Sequence, residues 1–195
     1  MSLRSLRSVA GGLLLGVALA TSPARAVELE GLDAPERVTL EDRELRLNGV
    51  GLRKATRFLI TASIYVAALY LETPSSSADA ILASPQHKQI QLRYLYAIDQ
   101  ADMKRAWAYS FTQNCPDEDC APFGESIAAF TAWVDGVEPG DTYTYRFLSD
   151  RVEIVRNDRP VGAVEGAAFS SLLLSTWIGR SPPTEELKQG LLGGS

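Results

Sequence analysis

The sequence predicts an α+β fold, with a large antiparallel sheet covered by helices on one face. Three observations carry this. Strand-like and helix-like segments come in blocks: strands, then helices, then strands, then helices. That is the order of an α+β chain rather than of alternating βα units. Phe58 to Leu71 is rich in Ile, Val, Tyr, Phe and Thr and apolar on both faces, the pattern of a central strand covered on both sides. Ala167 to Ile178 is the most apolar helical segment after the leader, and such a helix must be deeply buried.

The elements follow in order. Arg4 and Arg7 precede an apolar run, Val9 to Ala20, too short to span a bilayer comfortably, and Ala24-Arg25-Ala26 has the small-x-small form of a cleavage site. Residues 1–26 are therefore expected to be a secretory signal peptide cut after Ala26, leaving residues 27–195 as one domain in the periplasm. Val38 to Asn48 alternates around Glu41-Asp42-Arg43 and predicts a hairpin. The strand to Leu71 ends at Thr73-Pro74-Ser75-Ser76. Ser77 caps a short helix, Ala78 to Ala83, that stops before Pro85. Lys88 to Tyr96 alternates, with Ile90, Leu92, Tyr94 and Tyr96 on one face and Gln89, Gln91 and Arg93 on the other.

Asp99 caps a helix running to Gln113, with Met103, Ala106, Trp107 and Phe111 on or near its buried stripe. Phe123 to Val134 predicts a second helix through Ile127, Phe130, Thr131 and Val134. Thr142 to Leu148 and Arg151 to Arg156 read as a hairpin around Ser149-Asp150, and Arg159-Pro160-Val161-Gly162 starts a short further extended piece. Gly179 stops the apolar helix. Pro182-Pro183 leads into a last amphipathic segment, Thr184 to Leu192.

The formal charge is −5, and loss of the leader removes three arginines and no acid, giving −8. An acidic chain without a basic stripe is a poor candidate for nucleic acid or an anionic membrane surface. Cys115 and Cys120 close a short loop, and export would place them in an oxidising space, so a structural disulfide is expected. The C-x4-C spacing, with no second pair and the only histidine, His87, far away in sequence, fits neither a metal site nor a redox motif. His87 is expected in solvent. The acidic run Asp117-Glu118-Asp119 reads as a solvated loop. No nucleophile elbow, P-loop or dinucleotide fingerprint is present, and no cofactor is expected.

Three stretches, NGVGLRK (residues 48–54), IYVAALYLE (residues 64–72) and STWIGRSPPTEELKQGL (residues 175–191), resemble the chalcone isomerase-like family, which includes plant chalcone isomerases and fatty-acid-binding relatives. The resemblance implies an open-faced sandwich, a large antiparallel sheet with a ligand cleft between sheet and helices. Arg53 matches the arginine that faces the cleft and steadies the ligand's anionic group. A guanidinium offers a fork of donors suited to a carboxylate, and a buried one without a partner is costly. Tyr65 stands where plant isomerases carry a threonine acting through water. In the fatty-acid-binding relatives a tyrosine in this region joins the arginine at the carboxylate. Thr176 matches a ligand-touching threonine, and Trp177 a position that shapes substrate preference. Helix packing explains both equally well.

Where the isomerases place a tyrosine, a lysine and an asparagine along the first long helix, the best register gives Met103, Ala106 and Ser110. A shift of one turn would bring in Lys104, Trp107 or Tyr109, and restores no complete set. The proton-handling residues of ring closure are missing. The favoured reading is therefore a non-catalytic periplasmic binding protein for a fatty acid or similar small anionic amphiphile, held by Arg53, Tyr65, Thr176 and Trp177. The alternatives are an intramolecular isomerase or lyase using Arg53, Tyr65 and Thr176, and a structural or partner-binding envelope protein with a closed core. Arg53 and Tyr65 lie twelve residues apart, about 40 Å along one straight strand. Sharing a cleft requires a fold-back, placed near Lys54 to Arg57, that no Gly or Pro marks.

Overall fold

The computed structural model describes residues 27–115 and 120–194. The expected signal peptide and the acidic run at residues 117–119 lie outside the described residues. The described residues begin with a small hairpin of β1 (Val27–Leu29) and β2 (Leu32–Ala34). A seven-stranded sheet follows: β3 (Arg37–Leu40), β4 (Arg43–Arg57), β5 (Ile60–Leu71), β6 (Lys88–Tyr94), β7 (Thr142–Phe147), β8 (Arg151–Arg156) and β9 (Arg159–Glu165). The strands lie side by side in chain order, each antiparallel to the next. The helices are inserted between strands or follow them: α1 (Ala78–Ala83), α2 (Gln100–Asn114), α3 (Gly124–Ala132), α4 (Ala167–Ile178) and α5 (Glu185–Leu191).

Two of the three side-chain caps, Ser77 and Asp99, are those the sequence predicts, and Thr184 adds a third. Ser77 accepts from the Ala80 amide, Asp99 from Asp102, and Thr184 from Leu187, each satisfying one orphan donor of a first turn. Strand β5 divides its side chains by parity. Tyr65, Ala67, Leu69 and Leu71 join the helix-side core, while Val66, Ala68 and Tyr70 pack with Leu32, Ala34 and Leu45 on the opposite face, where the N-terminal hairpin lies. The expected burial of both faces is thus met, by helices on one side and by that hairpin on the other. Helix α4 is the centre of the helix layer, with Leu173, Leu174, Trp177 and Ile178 buried. The Trp107 ring meets Phe130 at 4.8 Å and Trp177 at 5.4 Å, both edge-on.

Several expectations need correction. The run from Phe58 to Leu71 is not one strand from its start: Phe58 and Leu59 are a two-residue turn joining β4 to β5. Their φ values are 48° and 69°, the left-handed pair that a type I′ hairpin needs. The β8–β9 turn uses the same geometry, with Asn157 at 48° and Asp158 at 61°, residues that suit it. Holding a Phe and a Leu there costs roughly 1–2 kcal/mol per residue. The fold-back is therefore real, but it lies just past the Lys54 to Arg57 stretch. Strand β6 ends at Tyr94, whose N–H and C=O bond Asp141 and Gly140, while Leu95 turns to the Ile64 carbonyl. Tyr96 consequently lies off the strand, exposed. Helix α3 stops at Ala132 rather than at Val134; the extended piece starting at Arg159 is β9, which runs to Glu165. His87 is not in solvent: its side chain is 13% exposed, with Nδ1 3.5 Å from a Glu72 carboxylate oxygen.

Candidate functional site

The NGVGLRK segment builds one wall of the site. Gly49, Gly51 and Arg53 pair with Leu69, Ala67 and Tyr65, so all three face the helix side. At Gly49 and Gly51 the backbone of α5 lies directly on the strand. A Cβ on Gly51 would stand 2.5 Å from the Leu187 carbonyl oxygen, and one on Gly49 would collide with the Gly190 carbonyl. Asn48 fastens the contact, donating to the Leu191 carbonyl at 2.8 Å and accepting from the Ser75 amide at 2.8 Å. Arg53, two residues further, emerges beyond this contact into a cavity.

That cavity has a volume of about 650 Å³ and lies between β4–β6, α2, the end of α4 and the Ser181–Pro183 segment. Arg53, Tyr65, Thr176 and Trp177 all line it, as do Met103, Ala106 and Ser110 of α2. The sequence-derived site residues are thus brought to one place. Trp107, Tyr109 and Gln113 of α2 line it too. Leu92, Ile98 and Met103 supply apolar wall, the mixture typical of small-molecule sites of ~300–1,000 Å³.

Arg53 is half-buried. Its guanidinium carbon sits 5.5 Å from the Tyr65 ring centroid, a cation–π contact. Among the described residues no carboxylate pairs with it. Beside this pair the ladder carries a bulge: Arg53 faces Tyr65, Lys54 faces Ser63, and Ile64 is the extra residue. Bulges of this kind re-aim neighbouring side chains. Tyr65 is buried, and burial pushes its phenol pKa up. The Arg53 charge and hydrogen bonding from Trp177 and Arg53 partly offset the rise. Tyr94, directly opposite Tyr65 on β6 with the rings 5.6 Å apart, is likewise pushed up by burial. Both phenols are neutral donors at neutral pH. The described lining holds no histidine, carboxylate, lysine or thiol.

Thr176 donates its hydroxyl proton to the Leu173 carbonyl at 2.7 Å, so its proton is committed to the helix and is not offered to a ligand. Sequence reasoning missed Tyr94, opposite Tyr65 in the lining, and two polar residues besides. Asn114 bridges the end of α2 to Ser181, donating to its carbonyl at 2.9 Å and accepting from its amide at 3.3 Å. This holds the Pro182-Pro183 wall in place. Arg105 lines the cavity from an exposed position and is paired with Asp102. An i, i+3 acid–base pair on α2 was the available signal for Arg105; none marked Asn114. Cys115 and Cys120 are joined as a disulfide, with Cα atoms 5.1 Å apart. The described residues contain no cluster of metal-ligating side chains, and no helix long and apolar enough to cross a membrane.

No curated protein sequence matches the chain. Among solved structures, the fatty-acid binding protein of Arabidopsis thaliana superposes with a TM-score of 0.73 at 17% identity, over 86% of this chain and 96% of that one. The fold is therefore shared with that protein. A family model described as chalcone isomerase-like matches residues 26–193, and the chain belongs to the chalcone isomerase-like family.

Proposed function

We propose that the protein binds a fatty acid or similar small anionic amphiphile without transforming it. The anionic head sits at Arg53 and Tyr65, and the tail runs along the apolar wall of Leu92, Ile98, Met103 and Trp107. The observation that carries this reading is the state of Arg53, a half-buried cation in a cavity wall with no described carboxylate to neutralise it. Such a charge calls for an anion. The Tyr65 phenol adds a neutral donor beside it.

A lining of arginines and neutral tyrosines is suited to holding a carboxylate and poorly suited to moving protons, which favours binding over ring closure. The open volume beside Arg53 weighs against a closed structural core. The structurally similar Arabidopsis protein is a fatty-acid binding protein, which points the same way. Export and a periplasmic location complete the proposal, on the strength of the leader-like N-terminus. Native mass spectrometry with lipid extraction tests it. A co-purifying acyl ligand, or stoichiometric uptake of added fatty acid, is expected. Absence of both, or turnover of a chalcone, would contradict it.

A further inference from the structure

The β4–β5 hairpin continues past the Arg53–Tyr65 pair as a two-stranded arm, Lys54–Arg57 against Ile60–Ser63. Strand β6 first pairs β5 at Tyr65, so it does not flank this arm. From Arg53 to Arg57 the arm reaches about 13 Å at ~3.3 Å per residue. Its tip is the most exposed apolar surface among the described residues: Phe58 is 85% exposed, Leu59 99% and Ile60 73%.

Two of these residues occupy left-handed backbone positions that a Phe and a Leu adopt only under strain, whereas Asn157 and Asp158 fill the same turn on β8–β9. Departure from turn chemistry combined with full exposure marks a functional constraint. The charge around the tip is equally uneven. The arm, residues 54–63, contains Lys54 and Arg57 and no acid, in a chain whose net charge is −5. The remaining large exposed aromatics besides Phe58 are Tyr109, which lines the cavity, and Tyr96, two residues beyond the cavity-lining Tyr94.

We infer that the Phe58-Leu59-Ile60 tip inserts into an anionic lipid leaflet and docks the protein there, with the cavity at the base of the arm. An apolar wedge with a basic flank matches the chemistry of such a surface, hydrocarbon below anionic headgroups, and amphipathic tyrosines suit the interface. The acidity of the chain as a whole argues against membrane affinity, but the arm itself, residues 54–63, carries Lys54 and Arg57 and no acid. That docking serves exchange of an acyl ligand rests on the reading of the cavity given above; the docking itself does not.

The test uses the double variant Phe58→Asn, Leu59→Gly. It removes the apolar tip while giving the turn its preferred residues, so folding is retained or improved. Flotation is carried out with vesicles of phosphatidylethanolamine and phosphatidylglycerol. Wild type is expected to float, and the variant's bound fraction to fall about tenfold. Both carry the same N-terminus, so the difference reports the tip. Unchanged melting of the variant removes misfolding as a cause. Fatty acid added from solution is expected to bind both equally, and its transfer from vesicles to be slower for the variant. Wild type that stays unbound, a variant that floats equally, or a tip that instead holds two copies together would overturn docking. Tip-dependent flotation without any fatty-acid binding would uphold docking and overturn the cavity reading.

Discussion

Arg53 and Tyr65 stand directly opposite each other on β4 and β5, the guanidinium carbon 5.5 Å from the ring centroid. Arg156 makes nearly the same contact with Tyr143, at 5.6 Å. Yet Arg156 also pairs with Asp135 at 3.2 Å and Asp141 at 2.9 Å. The aromatic geometry is shared and the electrostatic outcome differs. One arginine is neutralised within the fold, and the other presents its charge to the cavity.

Tyr65→Phe keeps the ring under Arg53 and removes the hydroxyl. Affinity for a fatty acid should fall by up to about tenfold, the worth of one hydrogen bond of ~0.5–1.5 kcal/mol. Stability should fall by about 1–3 kcal/mol, because the ring packing survives while the buried Trp177 N–H loses its acceptor. Titration calorimetry on both proteins checks the first statement, and urea denaturation the second.

Gly51→Ala should destabilise the fold by about 1–3 kcal/mol or more, because the new Cβ meets backbone of α5 rather than a movable side chain. Fatty-acid binding should weaken with it, since α5 follows directly on the Pro182-Pro183 wall. Denaturant midpoints combined with a binding assay on the folded fraction would show both effects.

The buried tyrosines make stability sensitive to base. Tyr65, Tyr94, Tyr143 and Tyr145 all have pKa values raised by burial, and Tyr70 is pushed up to about 12. The folded state holds these protons more tightly than the unfolded chain. Their contribution is therefore intact below the unfolded value of about 10 and is lost as pH rises from there through the folded values. For Tyr70 the window is pH 10 to about 12. Tyr70 also has a buried hydroxyl with no hydrogen-bond partner. Tyr70→Phe should thus be neutral to stabilising by about 1 kcal/mol and should flatten the alkaline loss. Urea midpoints measured across this range decide it.

Replacing Cys115 and Cys120 with serine should cost about 2 kcal/mol, the loop-closure estimate for so short a loop. The loop follows the end of α2, so the loss should appear as easier global unfolding more than as weaker binding. Thermal melting of the oxidised and double-serine proteins checks this.

Much of the fold was legible because local rules and tertiary packing agree over most of the chain. Helix α4 begins and ends where its apolar run does, and Ser77 and Asp99 cap as their side chains suggest. The β4–β5 turn was not legible, because Phe58 and Leu59 violate the chemistry that marks turns. Tyr96 was misplaced because alternation persists past Tyr94 while the ladder closes there on Gly140 and Asp141. The N-terminal hairpin was too short to give a period. Within the site, Arg53, Tyr65, Thr176 and Trp177 were found through the resemblance, and the cavity brings them together. The pin at Asn114 and the glycine contact with α5 depend on approaches between segments distant in sequence, which no local pattern encodes.

The most direct measurement is the dissociation constant of a long-chain fatty acid for wild type and for Arg53→Met, which keeps an apolar stem of similar reach without the charge. Loss of a charge-assisted anchor of ~1.5–3 kcal/mol should weaken binding by about ten- to a hundredfold, with the melting temperature essentially kept. Equal affinity in the two proteins, or no binding by wild type, would contradict the role given to Arg53.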